Sequence, residues 1–360
     1  MSTRTLSIAL LLAACSTPQP SVPDATAADA FTEADTGPRP DAGLMLDPAP
    51  AATLTHALPA IDLPAGAELL DRCQSWTLNN ADPLYVNTIT MDAGPGWHHS
   101  NWLFVPDTQF IGPDGTFACG DRMFNELVAG LSRGSGVFFA QSTQATHEVQ
   151  QFLPGAAYEI PPHSRVIGAI HVFNLTSAPV STQISFRIDA LASSDVTTLL
   201  HPLAIDNRGI VLAPHATTTT DISCNLAAVT RGAHLAARVH YVLPHYHGLA
   251  TGFQVFAVGG ANDGALIYGT STGIGDPLGS RLATPFDLTG ATGMRMACTY
   301  TNPGDVAVAY GVHRTDEMCV MLAYVDGPFE YAAGSTGTTT TAPLPDGSTG
   351  ETTPCIAVSH

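Results

Sequence analysis

The chain has 360 residues, of which 45% are hydrophobic and only 12% charged, with 33 glycines and 27 prolines; that is room for two ordinary cores in a turn-rich β protein rather than a helical one. Its 31 acidic residues outnumber 13 basic ones, giving a net charge of -18, and every basic residue is arginine. Without lysine the chain can offer neither a Schiff-base amine nor a phosphate-loop lysine, and so acidic a surface repels nucleic acid.

Residues 1–15 carry Arg4, an apolar run from Leu6 to Ala14, and then Cys15. A charged start, a short apolar core and small residues before a cleavage point make a secretory signal peptide, too short to span a bilayer. Its ending, Leu12-Ala13-Ala14-Cys15, resembles the lipobox of bacterial lipoproteins. That implies cleavage before Cys15, lipidation of its thiol, and an exported lipoprotein at the cell envelope that touches the membrane only through its N-terminal lipid. Residues 16–62, rich in Ser, Thr, Pro, Ala and Asp, read as a disordered tether.

From about Leu63 short apolar runs alternate with Gly, Pro, Asn and Asp. Val166–Phe173, Ile184–Ile188, Leu235–Leu243, Phe253–Val258, Val306–Tyr310 and Met318–Val325 read as strands; Asp121–Leu131 and Ser223–Val229 could form short helices. Many strands and little helix predict an all-β chain of two tandem antiparallel β-sandwich domains, 63–197 and 198–335, divided near Ser193-Ser194-Asp195. Residues 336–360 read as a flexible tail stapled back by Cys355. Cys73, Cys119, Cys224, Cys298, Cys319 and Cys355 form an even set without a C-x-x-C pair, which in an exported chain means disulfides of open connectivity.

His245 and His247 stand two apart at the end of an apolar run, so in an extended strand both imidazoles point the same way and can meet one metal ion. His98 and His99 are adjacent; both can reach one ion only at a bulge, bend or frayed strand end. His171 shares a face with Ile167, Ala169 and Phe173, the setting of a core histidine. Met318 shares a face with Val320 and Leu322, while Cys319 faces the other way toward a disulfide partner; a thioether joining two histidines would select Cu(I) over zinc. His56, His147, His163, His201, His215, His234 and His360 read as surface residues, His240 as a packing or hydrogen-bonding residue, and His313 as lacking a pairing partner.

His98-His99, His171, His245-x-His247 and Asp316-Glu317-Met318-Cys319 follow one another, with steps of 72 positions from His99 to His171, 74 from His171 to His245 and 71 from His247 to Met318. In order and spacing they resemble the copper type II, ascorbate-dependent monooxygenases, the family of peptidylglycine alpha-hydroxylating monooxygenase and dopamine beta-monooxygenase, over residues 66–335. The resemblance implies two jelly-roll-like sandwiches facing each other across a solvent-filled cleft. Each would hold one of two copper ions: His98, His99 and His171 an electron-transfer site, and His245, His247 and Met318 the catalytic site. It further implies pairings Cys73–Cys119, Cys298–Cys319 and Cys224–Cys355, and hydroxylation of a C–H bond of a small-molecule substrate with O2 and an ascorbate-like reductant, by a monomer.

Leu243, Val320 and Leu322 depart from the pattern, standing where peptide-amidating members carry arginine, asparagine and tyrosine. A substrate carboxylate would lose its charge-assisted hydrogen bonds there, so the expected pocket is more apolar. The competing expectation is a non-catalytic copper-binding envelope lipoprotein, or a sandwich whose metal is structural; a third is a metal-free adhesion or carbohydrate-binding sandwich.

Overall fold

A computed structural model describes residues 49–359 apart from 131, 231 and 233. The expected signal peptide, Cys15 and most of the expected tether lie outside the described residues, as does His360. Among the described residues no helix is long and apolar enough to cross a membrane.

Alternating side chains build the sheets. In Ile184–Leu191 the residues Ile184, Phe186, Ile188 and Ala190 are buried, and in Ala216–Asn225 so are Thr218, Thr220, Ile222 and Cys224. β-Branched residues in such a half-buried pleat favour the strand over the helix. In the first sandwich one sheet orders Ala52–Ala57, Ile184–Leu191, Leu84–Ala93, Ala156–Ile160 and Thr198–Leu199, with His147–Gln151 also paired to Leu84–Ala93. Its other sheet orders Gly115–Phe117, Glu68–Thr77, Ser164–Phe173, Trp97–Pro106 and Gly136–Ala140. The second sandwich pairs a sheet of Ser280–Asp287, Arg238–His245, Val320–Val325, His201–Asp206, Tyr331–Ser335 and Cys355–Ser359 with one of Leu266–Thr270, Ala250–Val258, Gly293–Asn302, Ala216–Asn225, Thr349–Thr353 and Thr340–Pro343.

Two tandem β-sandwiches are therefore present, with borders that differ from the sequence reading. Ala52–Ala57 pairs along Ile184–Leu191, so the fold begins inside the expected tether. Thr198–Leu199 runs parallel to Ala156–Ala157 and Leu200 sits in the first core, moving the crossing point past 198. The expected flexible tail is three strands: Thr349–Thr353 pairs with Ala216–Asn225 and Cys355–Ser359 with Tyr331–Ser335. Backbone pairing in both sheets orders this segment despite its Gly/Ser/Thr composition. The expected helices shrink to a 3-10 turn at Cys119–Arg122, one α-helical turn at Glu126–Gly130 and a 3-10 turn at Ala227–Val229. Of Val306–Tyr310 only Val308–Ala309 is strand.

Three disulfides form, Cys73–Cys119, Cys224–Cys355 and Cys298–Cys319, with the pairing the resemblance implies. The last two each join the two sheets of the second sandwich.

Arg238–His245 and Val320–Val325 break the half-buried rule, since nearly all their residues are buried. Val239, Val242, Met321, Ala323 and Val325 face the second sandwich's own core. Tyr241, Leu243, Leu322 and Tyr324 face the other way, into the cluster of Trp102, Phe138, Phe139, Phe152 and Tyr158 in the first. Each such side chain taken from water contributes about 1.5–3 kcal/mol. At this level the expected cleft is packed shut. The apolar residues Leu243 and Leu322, expected to line a substrate pocket, fill this seam instead.

Candidate metal centre

Three histidines come from the sheet of the first sandwich. Gly96 opens their strand with φ 80°, and a Cβ there would run into the Phe173 carbonyl, so the turn before Trp97 requires glycine. In the ladder between Trp97–Pro106 and Ser164–Phe173, His171 pairs with His99 but Val172 pairs with Trp97. His98 is the extra residue of a β-bulge. The bulge turns two adjacent histidines toward the same side, the condition that the pair requires. His98 lies 4.4 Å from His171 between ring centroids, and His99 lies 5.1 Å from it.

His245 ends the strand Arg238–His245, and His247 follows it. Their rings are 5.4 Å apart at 86°. His245 pairs with Val320 across the sheet; two residues further along each chain stand His247 and Met318. Met318 is buried, 8% exposed, and Cys319 points away into its disulfide, as strand alternation requires.

The resemblance implies two groups apart from each other. The structure gathers all five rings into one cluster that crosses the sandwich boundary: His98 to His247 is 5.0 Å, His99 to His245 4.9 Å and His99 to His247 5.4 Å. The tightest set of ligand atoms is mixed, with one ring nitrogen each of His98, His99 and His247 all within 4.8 Å. The cause is the closed seam, which presses the bulge of one sandwich against the strand end of the other. All five are buried.

Partner chemistry fixes the tautomers. The His245 Nδ1–H donates to the carbonyls of Gln141 at 3.1 Å and Ser142 at 2.9 Å. The His247 Nδ1–H donates to the Asp316 carbonyl at 2.8 Å, and the His171 Nε2–H to Glu68 Oε1 at 2.8 Å. Carbonyls and carboxylates only accept, so the other nitrogen of each ring carries a lone pair. Those nitrogens, His245 Nε2, His247 Nε2 and His171 Nδ1, are buried without a hydrogen-bond partner. His98 and His99 bring their Nδ1 atoms within 2.6 Å of each other, which two neutral rings tolerate only with a proton, or a cation, at the contact. Burial pushes His98 down to about 2, with neighbouring rings adding to it, and His245 to about 3; it lowers His99, His171 and His247 as well. Neutral imidazoles are the ligating form.

The orienting groups escaped sequence reasoning. Glu317 accepts the backbone N–H of His247 at 3.0 Å and of Leu249 at 2.6 Å, holding the turn after His245; it stood in the Asp-Glu-Met-Cys string without a role. Glu68, which also accepts the Arg314 N–H at 3.3 Å, gave no signal because it lies 103 residues from His171, and the Gln141–Ser142 carbonyls gave none because backbone acceptors carry no residue code. Elsewhere the histidines behave largely as expected. His240 is buried against Asp326 at 3.1 Å, and His147 and His215 pair with Asp92 and Asp305, each at 2.7 Å. His234 and His313 are exposed. His56 departs from a plain surface position by stacking on Trp76 at 4.4 Å. A 520 Å³ cavity lined by Phe104, Arg133, Glu159, Leu200, His201 and Glu330 among others includes none of the six candidate ligands.

No protein-family model matches the chain, and no curated protein matches it. Among solved structures, PBCV-1 VP54 fitted into the virophage Sputnik is 9% identical at a TM-score of 0.26, over 76% of this chain and 94% of that one. The major capsid protein P2 of bacteriophage PM2 is 9% identical at a TM-score of 0.27, over 76% and 98%. The PBSX exported protein XepA is 8% identical at a TM-score of 0.20, over 76% and 86%.

Proposed function

We propose that the histidine cluster binds copper and that the chain is a copper-dependent monooxygenase, hydroxylating a small substrate that is not anchored through a carboxylate. The observation that carries the reading is the convergence of five buried imidazoles, three of them with an unpartnered ring nitrogen. Such a donor set fits copper: imidazoles suit it, and the buried thioether of Met318 would favour its reduced form. Unpaired buried nitrogens are costly unless something ligates them. His98, His99, His171, His245, His247 and Met318 would hold two ions, and bound copper would supply one-electron redox and oxygen chemistry with an ascorbate-like reductant. The protein's part is to keep the five rings neutral, to set the lone pairs of His171, His247 and His245 through Glu68 and the carbonyls of Asp316, Gln141 and Ser142, and to exclude water.

The first test counts copper in wild type and Met318→Ile while oxygen use is followed with reductant and a panel of apolar and aromatic substrates. Loss of oxygen use with most copper retained is expected in the variant, since the imidazoles still hold the ions. Unchanged oxygen chemistry in Met318→Ile would sink the scheme.

One observation favours the non-catalytic copper-binding lipoprotein as a second reading: Leu243 and Leu322 seal the seam beside the cluster. A copper carrier would bind the ions without substrate-dependent oxygen use. In either reading the protein is an exported, lipid-anchored monomer of the cell envelope.

A further inference from the structure

Gln141, Ser142 and Thr143 leave the strand Gly136–Ala140 of the first sandwich and are buried against the second. Hydrogen bonds tie this turn to both sandwiches. The Gln141 N–H donates to the Ser100 carbonyl, one residue past His99, at 3.2 Å. The Ser142 N–H donates to Glu148 Oε2 at 2.9 Å. The Leu278 N–H donates to Ser142 Oγ at 3.0 Å, and the Gly275 N–H to Thr143 Oγ1 at 3.1 Å. Thr143 Oγ1 in turn donates to the Asp276 carbonyl at 2.9 Å. So gripped, the turn aims two consecutive carbonyls, Gln141 and Ser142, at one nitrogen of His245, across the sandwich boundary.

We infer that this turn, clamped by Glu148, is the tautomer lock of His245: the first sandwich decides which nitrogen of a second-sandwich ligand faces the metal centre. Two acceptors on Nδ1 leave only the Nδ1–H tautomer, and Nε2 becomes the donor atom for a metal. Glu148 touches no candidate ligand and acts through the turn as a positioning residue. Groups that orient a metal-binding imidazole commonly govern affinity by about 10- to 100-fold. Here that control passes through the docking of the two sandwiches. It rests on the copper reading only for the identity of the ion, since the tautomer exists in the apoprotein.

The test uses the full chain labelled with ¹⁵N-histidine. Long-range ¹H–¹⁵N correlation of the metal-free protein is expected to show His245 protonated on Nδ1 and bare on Nε2, with His171 of the opposite tautomer as an internal reference. Glu148→Gln, which keeps an acceptor oxygen for the Ser142 N–H, should preserve that pattern. Glu148→Ala should mix the two His245 tautomers, leave His171 unchanged, and weaken Cu(I) binding about 10- to 100-fold against a competing chelator. A wild-type His245 protonated on Nε2 overturns the inference whatever the variants do. So does an intact His245 pattern with unchanged Cu(I) affinity in folded Glu148→Ala. If the lock is present and Cu(I) does not bind, the lock stands and the copper reading falls.

Discussion

The two sandwiches present their histidines by different means. In the first, a bulge at His98 and a carboxylate, Glu68, arrange three rings from within one sheet. In the second, His245 and His247 hang from a strand end, and His245 takes its orientation from carbonyls of the other sandwich. The first group is self-contained, whereas the second is complete only when the sandwiches are docked. Covalent bracing runs the other way: two of three disulfides brace the second sandwich. His247 has an acceptor in its own sandwich, the Asp316 carbonyl, whereas His245 has its acceptors only while the seam holds.

Breaking the seam should have the largest effect. Tyr324 is fully buried among Phe152, Tyr158 and Tyr241, so Tyr324→Ala should cost about 3–5 kcal/mol in urea unfolding. It should weaken metal binding at His245 and His247 more than at His98, His99 and His171; equal weakening of both groups would erase the contrast. Next is the brace. Cys224–Cys355 closes a separation of 131 residues, and replacing both cysteines by serine should cost about 2–5 kcal/mol, with faster amide exchange confined to the second sandwich.

Glu148 supplies a pH test. Burial raises its carboxyl from 4.5 to about 7, so between those values the folded state holds a proton that the unfolded state has lost. Its stabilising contribution is complete below pH 4.5 and is lost as pH rises to about 7, by up to about 3 kcal/mol. Glu148→Gln should flatten the fall in unfolding free energy between pH 4.5 and 7, leaving the parts due to Glu126 and Glu317, which burial likewise raises to about 7. An unchanged slope would place Glu148 in contact with water. The smallest effect belongs to Glu68→Gln, which keeps an acceptor for His171. Stability should change by under about 0.5 kcal/mol at this partly exposed position, and first-group copper affinity should fall about tenfold at most.

Several features were legible before any coordinates. The alternation in Ile184–Ile188 and Phe253–Val258 announced strands, and Cys319 was expected to face a disulfide partner, which it finds in Cys298. The adjacent pair His98-His99 carried its own condition, a bulge, bend or frayed strand end, and of these a bulge is there. Other features were hidden. The Gly/Ser/Thr-rich stretch after Gly334 read as floppy because composition reports local propensity, while its strand Thr349–Thr353 is held by Ala216–Asn225, more than a hundred residues away. Leu243 and Leu322 read as pocket lining because the resemblance set them at substrate-binding positions, and sequence does not show what covers a strand face.

Residue identity and short-range spacing by themselves determined the strand-rich class and the even set of bridging cysteines, because each depends on side-chain type and the two-residue period of a pleated chain. Tertiary structure alone decided that the five rings form one cluster rather than two. That outcome turns on a ladder slipping by one residue at His98 and on Gln141 docking beside a histidine 104 positions later, relations set by packing between sheets that no local pattern encodes.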